Sequence, residues 1–149
     1  MKLSQATTAL CLYLSTAYAA PQGSAKNFYL VSCSDDTGNF DAIAYYPSGP
    51  SKSTTTWPPE LSEVSRGRSA WEGVVREAEF ERDNWFIATI DKGAAALKSG
   101  EIAGTGSFEG EPFVCFKQTG LLFRDGSTRC EKRYWCPSVD VGGGRGVRM

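Results

Sequence analysis

Apolar and polar residues alternate at short range along most of this chain, and turn residues break the alternation every few positions. Phe28-Tyr29-Leu30-Val31 is a β-rich run that ends near Cys33, and Ser34 to Asn39 is a turn cluster. Phe40 to Tyr46 follows, with Ala42, Ala44 and Tyr46 on one face and Asp41, Ile43 and Tyr45 on the other. The two runs predict a hairpin. Residues 47–59 hold four prolines in thirteen positions, so they predict a loop and not a central strand.

Ser69 to Arg82 supports two readings. Ser69 and Glu72 fit a capping box, and Trp71, Val74, Val75 and Ala78 recur at helical spacing. Against a helix, Gly73 is interior and Glu77-Ala78-Glu79-Phe80-Glu81 alternates with period two. The balance favours a hairpin turning at Arg82-Asp83-Asn84 into the strand Trp85–Ile90. A connection follows over 91–100, with one helical turn expected at Ala94–Lys98. Glu101–Phe108 predicts a strand in which Gly104 and Gly106 mark a bend or a close backbone approach. Pro112–Gln118 and Leu121–Arg124 predict two more strands, joined at Thr119-Gly120. The tight turn at Asp125-Gly126 leads into a last strand over 127–136. About eight short strands at this spacing predict an antiparallel β-sandwich or small barrel.

Residues 1–19 predict a secretory signal: Lys2, the apolar stretch Ala9–Leu14, and small Ala17 and Ala19 before the cut. The expected organisation is thus a signal over 1–19, one β domain over 20–137, and a flexible Gly-rich tail over 138–149. The apolar stretch is shorter than the roughly 18–20 residues that span a bilayer. The C-terminus offers no lipidation box. A secreted, extracellular protein without a membrane anchor is expected.

Secretion removes Cys11 and leaves Cys33, Cys115, Cys130 and Cys136, an even set that predicts two disulfides. Six residues of strand separate Cys130 from Cys136, about 20 Å, against the roughly 4.4–6.8 Å a disulfide allows. Cys33 and Cys115 are each expected to bond one of that pair, with the partner assignment open.

Six short motifs carry a resemblance: Phe28–Cys33, Ala42–Tyr46, Trp71-Glu72-Gly73, Phe113–Phe116, Phe123–Gly126 and Tyr134-Trp135-Cys136. In these the chain resembles a group of small secreted proteins of filamentous fungi, over most of its length after the signal. The group is counted among candidate effectors, and the resemblance implies secretion and a disulfide-stapled fold but no catalytic residue.

Composition narrows the chemistry. The 149 residues contain no histidine, which excludes His-based triads and His-ligated metal sites. Phosphate-binding loops and metal-type cysteine pairs are absent too, so no cofactor is expected. With a net charge of -1, nucleic acid is not an expected partner. Glu72, Glu77, Glu79 and Glu81, with Arg76 and Arg82 among them, could serve a carboxylate-dependent hydrolase of glycans or RNA. Their alternation reads more simply as a solvated strand face. Tyr45, Tyr46, Trp71, Trp85, Tyr134 and Trp135 are expected mainly in the core, and Trp57, in its proline-rich loop, is expected as a contact residue. From Lys117 onward there are seven basic and three acidic residues, so Arg129, Lys132 and Arg133 are a second candidate contact set. The reading is a non-catalytic binding protein for an extracellular protein or glycan, with a carbohydrate-binding module and the hydrolase as alternatives.

Overall fold

The structure, a computed structural model, describes residues 22–139. The signal expected over 1–19, and the tail beyond Val139, lie outside them. Among the described residues nine strands form one antiparallel sheet: β1 (Gln22–Asp35), β2 (Gly38–Tyr46), β3 (Glu60–Arg66), β4 (Val75–Phe80), β5 (Asn84–Ile90), β6 (Ile102–Phe108), β7 (Glu111–Lys117), β8 (Leu121–Asp125) and β9 (Thr128–Val139). Their order is β3-β2-β1-β9-β7-β6-β5-β4, and the sheet curls until it is nearly closed into a barrel. β3 and β4 meet at the seam, where Glu81 N–H donates to Glu60 Oε1 at 3.2 Å. Closure removes the exposed edges that an open sheet would leave.

Burial follows the pattern of each strand. β4, β5 and β7 alternate, with Ala78, Phe80, Phe86, Ala88, Ile90, Phe113 and Cys115 inside. β1 and β2 are buried on both faces from Asn27 to Cys33 and from Phe40 to Tyr45. Their inner residues Phe28, Leu30, Ile43 and Tyr45 join the barrel core. Tyr29, Val31, Cys33, Phe40, Ala42 and Ala44 instead form a second core on the outer wall, with Leu122, Phe123 and Cys130. A strand buried on two sides needs apolar residues on both, which is why these runs are nearly continuous. β8 supplies Leu122 and Phe123 to this outer core. It does not pair with β7. Both lie along the same edge of β9, end to end across Gln118–Gly120.

The hairpin reading of 69–82 holds for β4 and β5, which pair from Val75↔Thr89 to Phe80↔Asn84. No α-helix occurs among the described residues, and the turn at 91–100 is a short 3-10 turn, Ala94–Ala96. Ser69 caps nothing. Its N–H and hydroxyl reach the buried Asp41 carboxylate at 2.9 and 3.4 Å, and this draws the 69–74 strap over one barrel end. β3 was not foreseen: in Glu60–Arg66 only Leu61 and Val64 are apolar, three apart, which is neither alternation nor a run. The last strand exceeds its expected end and takes in Ser138 and Val139.

Gly104 has the close approach the sequence suggested. A Cβ there would stand 2.1 Å from the Thr89 carbonyl oxygen. The disulfides are Cys33–Cys130 and Cys115–Cys136, with Cα separations of 4.1 and 4.0 Å. Both cross between neighbouring strands, and neither links Cys130 to Cys136, as strand geometry required.

Candidate functional site

The 47–59 loop runs across the outer core from β2 to β3. Gly49 N–H donates to the Ala25 carbonyl at 2.7 Å, Ser51 N–H to the Tyr29 hydroxyl at 3.1 Å, and Arg124 N–H to the Thr54 carbonyl at 2.8 Å. Those bonds fix the loop at three places, and its prolines limit the freedom of the rest. Trp57 packs edge-on against Phe123, ring centroids 5.0 Å apart, yet keeps 45% of its surface exposed. Between the loop and the strand lies an open cleft of about 360 Å³, lined among others by Tyr46, Pro47, Pro50, Ser51, Lys52 and Trp57. Tyr46 Oη is buried and unbonded, and Ser51 approaches it without reaching hydrogen-bond geometry. Burial pushes this hydroxyl's pKa up, so it remains a neutral donor and acceptor.

A second depression, about 340 Å³, opens on the outer wall between β7 and β9, lined by Ser99, Gly100, Phe116, Lys117, Gln118 and Trp135. An aromatic row joins the two. Tyr46 and Tyr29 stand 5.4 Å apart, Tyr29 and Trp135 6.4 Å, and Trp135 and Phe116 6.0 Å. Register produces the row, since Trp135 faces Tyr29 on β1 and Phe116 on β7. Trp135 Nε1 donates to Asn27 Oδ1 at 2.8 Å, which fixes the indole in place.

None of Arg129, Lys132 and Arg133 lines either depression. Arg129 pairs with Glu131 at 2.9 Å on the strand face opposite Cys130 and Lys132. Arg133 occupies the irregularity where the β1–β9 register slips between Leu30 and Val31.

The glutamates also separate. Glu77 and Glu79 are exposed on the outer wall, whereas Glu81 lies in the turn after β4 and accepts from Tyr45 Oη at 2.8 Å. Glu72 accepts from Tyr134 Oη at the other barrel end. Burial, reinforced by the partner carboxylate, raises both tyrosine pKa values. Glu72 and Glu81 are thus each held by a phenol, Glu79 accepts from Asp83 N–H at 2.7 Å, and no two of these four glutamates share a partner; Glu109 and Glu111 do converge, on the Lys26 ammonium at 3.1 and 3.8 Å. Among the described residues no group of acidic or cysteine side chains could hold a metal ion.

The aromatic set divides three ways. Tyr45, Trp71 and Tyr134 fill the barrel, Tyr46 and Trp135 belong to the outer row, and Trp85 is 50% exposed beside Ile87 on β5. Its exposure corrects the expectation of core burial: Trp85 alternates with Phe86, and Phe86 takes the inward position. Phe116, Gln118 and Tyr29 were not singled out from the sequence. The signal available was alternation, which places Phe116 outward once Cys115 is known to bond inward.

No family model, curated protein or solved structure matches the chain.

Proposed function

We propose that this chain is a secreted, non-catalytic binding protein that meets its target outside the cell through the cleft around Trp57. The observation that carries the reading is an exposed indole held in a pinned, proline-stiffened loop beside an open cleft. A rigid aromatic loses little freedom on binding and offers a large contact area. Its surroundings lack the paired carboxylates that a histidine-free hydrolase would need. The two disulfides suit an oxidising compartment. Among the described residues no helix is long and apolar enough to cross a membrane. The resemblance to fungal candidate effectors favours a host surface or cell wall as the place of action.

Cosedimentation with insoluble cell-wall material tests the reading. The purified protein is expected in the pellet, Trp57→Ala in the supernatant while still folded, its melting temperature lowered only by the lost Phe123 contact, and no reducing ends in solution. Release of reducing ends by the protein, lost in Glu77→Gln or Glu79→Gln, would replace the binder with a hydrolase.

A further inference from the structure

The two depressions on the outer wall share one chemistry. Aromatic rings floor each of them: Trp57 and Tyr46 in the cleft, Phe116 and Trp135 in the groove. Neutral hydrogen-bonding groups rim them, serine and threonine hydroxyls in the first, Ser99 and the Gln118 amide in the second. Of three buried, unbonded side-chain polar atoms among the described residues, two stand here, Tyr46 Oη in one and Gln118 Oε1 in the other, the third being Trp71 Nε1 in the barrel core. Buried polar groups are nearly always bonded, so two orphans in two matching depressions call for an explanation. Charge is scarce. Lys52 is the cation of the cleft, the Lys117 ammonium turns away from the groove into the barrel end and lies over the Tyr134 ring at 4.9 Å, and no carboxylate lines either depression.

We propose that cleft and groove are two subsites of one carbohydrate-binding surface whose ligand is an uncharged polysaccharide. This assignment rests on the binding reading above and names its ligand class. A pyranose ring carries an apolar C–H face that lies on an aromatic ring, and its edge carries hydroxyls that both donate and accept. That combination satisfies a floor of rings, a rim of hydroxyls and an orphaned phenol or amide together. A polyanion would leave most of its charge unmatched here, and single-stranded nucleic acid needs a cationic track beside its stacking rings. Tyr29, between the two subsites, is nearly buried, so it holds the spacing and the outer rings make the contact. Two weak subsites on one rigid wall favour a polymer over a short oligomer, because the second contact forms intramolecularly.

Affinity gel electrophoresis tests this with laminarin, xyloglucan and galactomannan as neutral polymers and polygalacturonate as the anionic one. At least one neutral polymer is expected to retard the protein, and polygalacturonate is not. Trp57→Ala, and Phe116→Ser or the milder Gln118→Ala, should each weaken retardation at least tenfold, since loss of one of two linked contacts forfeits an avidity gain of about 10²–10⁴. Ile87→Ser, which alters an exposed residue outside both depressions, should leave it unchanged. Trisaccharides of the retarding polymer should compete poorly. Retardation that survives both Phe116→Ser and Gln118→Ala overturns the two-subsite surface. Retardation by polygalacturonate alone overturns the ligand class. So does the absence of any retardation while wall cosedimentation persists and still depends on Trp57, and binding itself then stands. If cosedimentation fails as well, both readings fall.

Discussion

Lys117 carries an ammonium into one end of the barrel, where 7% of the residue is exposed. It meets the Tyr134 ring and, among the described residues, no carboxylate at salt-bridge distance. Burial, aided by the nearby Arg133 charge and opposed by Glu72, lowers its pKa. The unfolded chain therefore holds this proton more tightly than the folded one. The penalty is full below the folded pKa and shrinks as pH rises from there toward the ordinary 10.5. Above about pH 10 the trend reverses, because Tyr45 and Tyr134, raised in the fold, ionise first in the unfolded chain. Lys117→Met keeps the stem and removes the charge. It should stabilise the protein by about 1 kcal/mol at pH 7 and flatten the rise between neutrality and pH 10, read by thermal melts across that range. A destabilised variant with the rise intact would show that the ammonium is well accommodated.

At the level of elements, the sequence was most legible where strand period and turn chemistry agreed. The β1–β2 hairpin shows this. Its alternation is visible, and Asp35 Oδ1 accepts from Thr37 N–H and Oγ1–H at 2.8 and 2.6 Å to close the turn. The 69–74 strap was illegible because its helical spacing is real. What defeats the helix is tertiary: the buried Asp41 captures Ser69, and Trp71 is drawn into the core. The cysteines were legible by distance alone, down to the excluded pair. They now permit a comparison. Cys33–Cys130 spans 97 residues and Cys115–Cys136 spans 21. In the loop-entropy model the longer bridge contributes about 1 kcal/mol more. Denaturant unfolding of Cys33→Ser/Cys130→Ser and of Cys115→Ser/Cys136→Ser should show the greater loss for the first pair. The reverse order would mean that packing around Cys115 in the barrel core outweighs chain entropy.

For the whole molecule, the decisive feature is that one sheet serves two cores. Barrel closure occupies the inner faces, while β8 and the 47–59 loop bury the outer faces of β1 and β2. The loop is therefore a structural cover, and it places Trp57 above Phe123. The doubly apolar strands β1 and β2 hinted at a second core, but their partners did not. Leu122-Phe123 reads like any short strand, and nothing local shows that β7 and β8 share an edge of β9. The candidate contact site was half legible for the same reason. Trp57 stood out by its company of prolines, whereas the aromatic row depends on register among distant strands.

The indole N–H signals of a ¹⁵N-labelled sample test the binding surface most directly. Trp57, Trp71, Trp85 and Trp135 occupy four different places: loop cleft, barrel core, outer wall of β5, and aromatic row. On titration with soluble cell-wall polysaccharide, the signals of Trp57 and Trp135 are expected to shift together while those of Trp71 and Trp85 stay in place. A shift confined to Trp85, or a bound complex in which Trp57 does not move, would contradict the account.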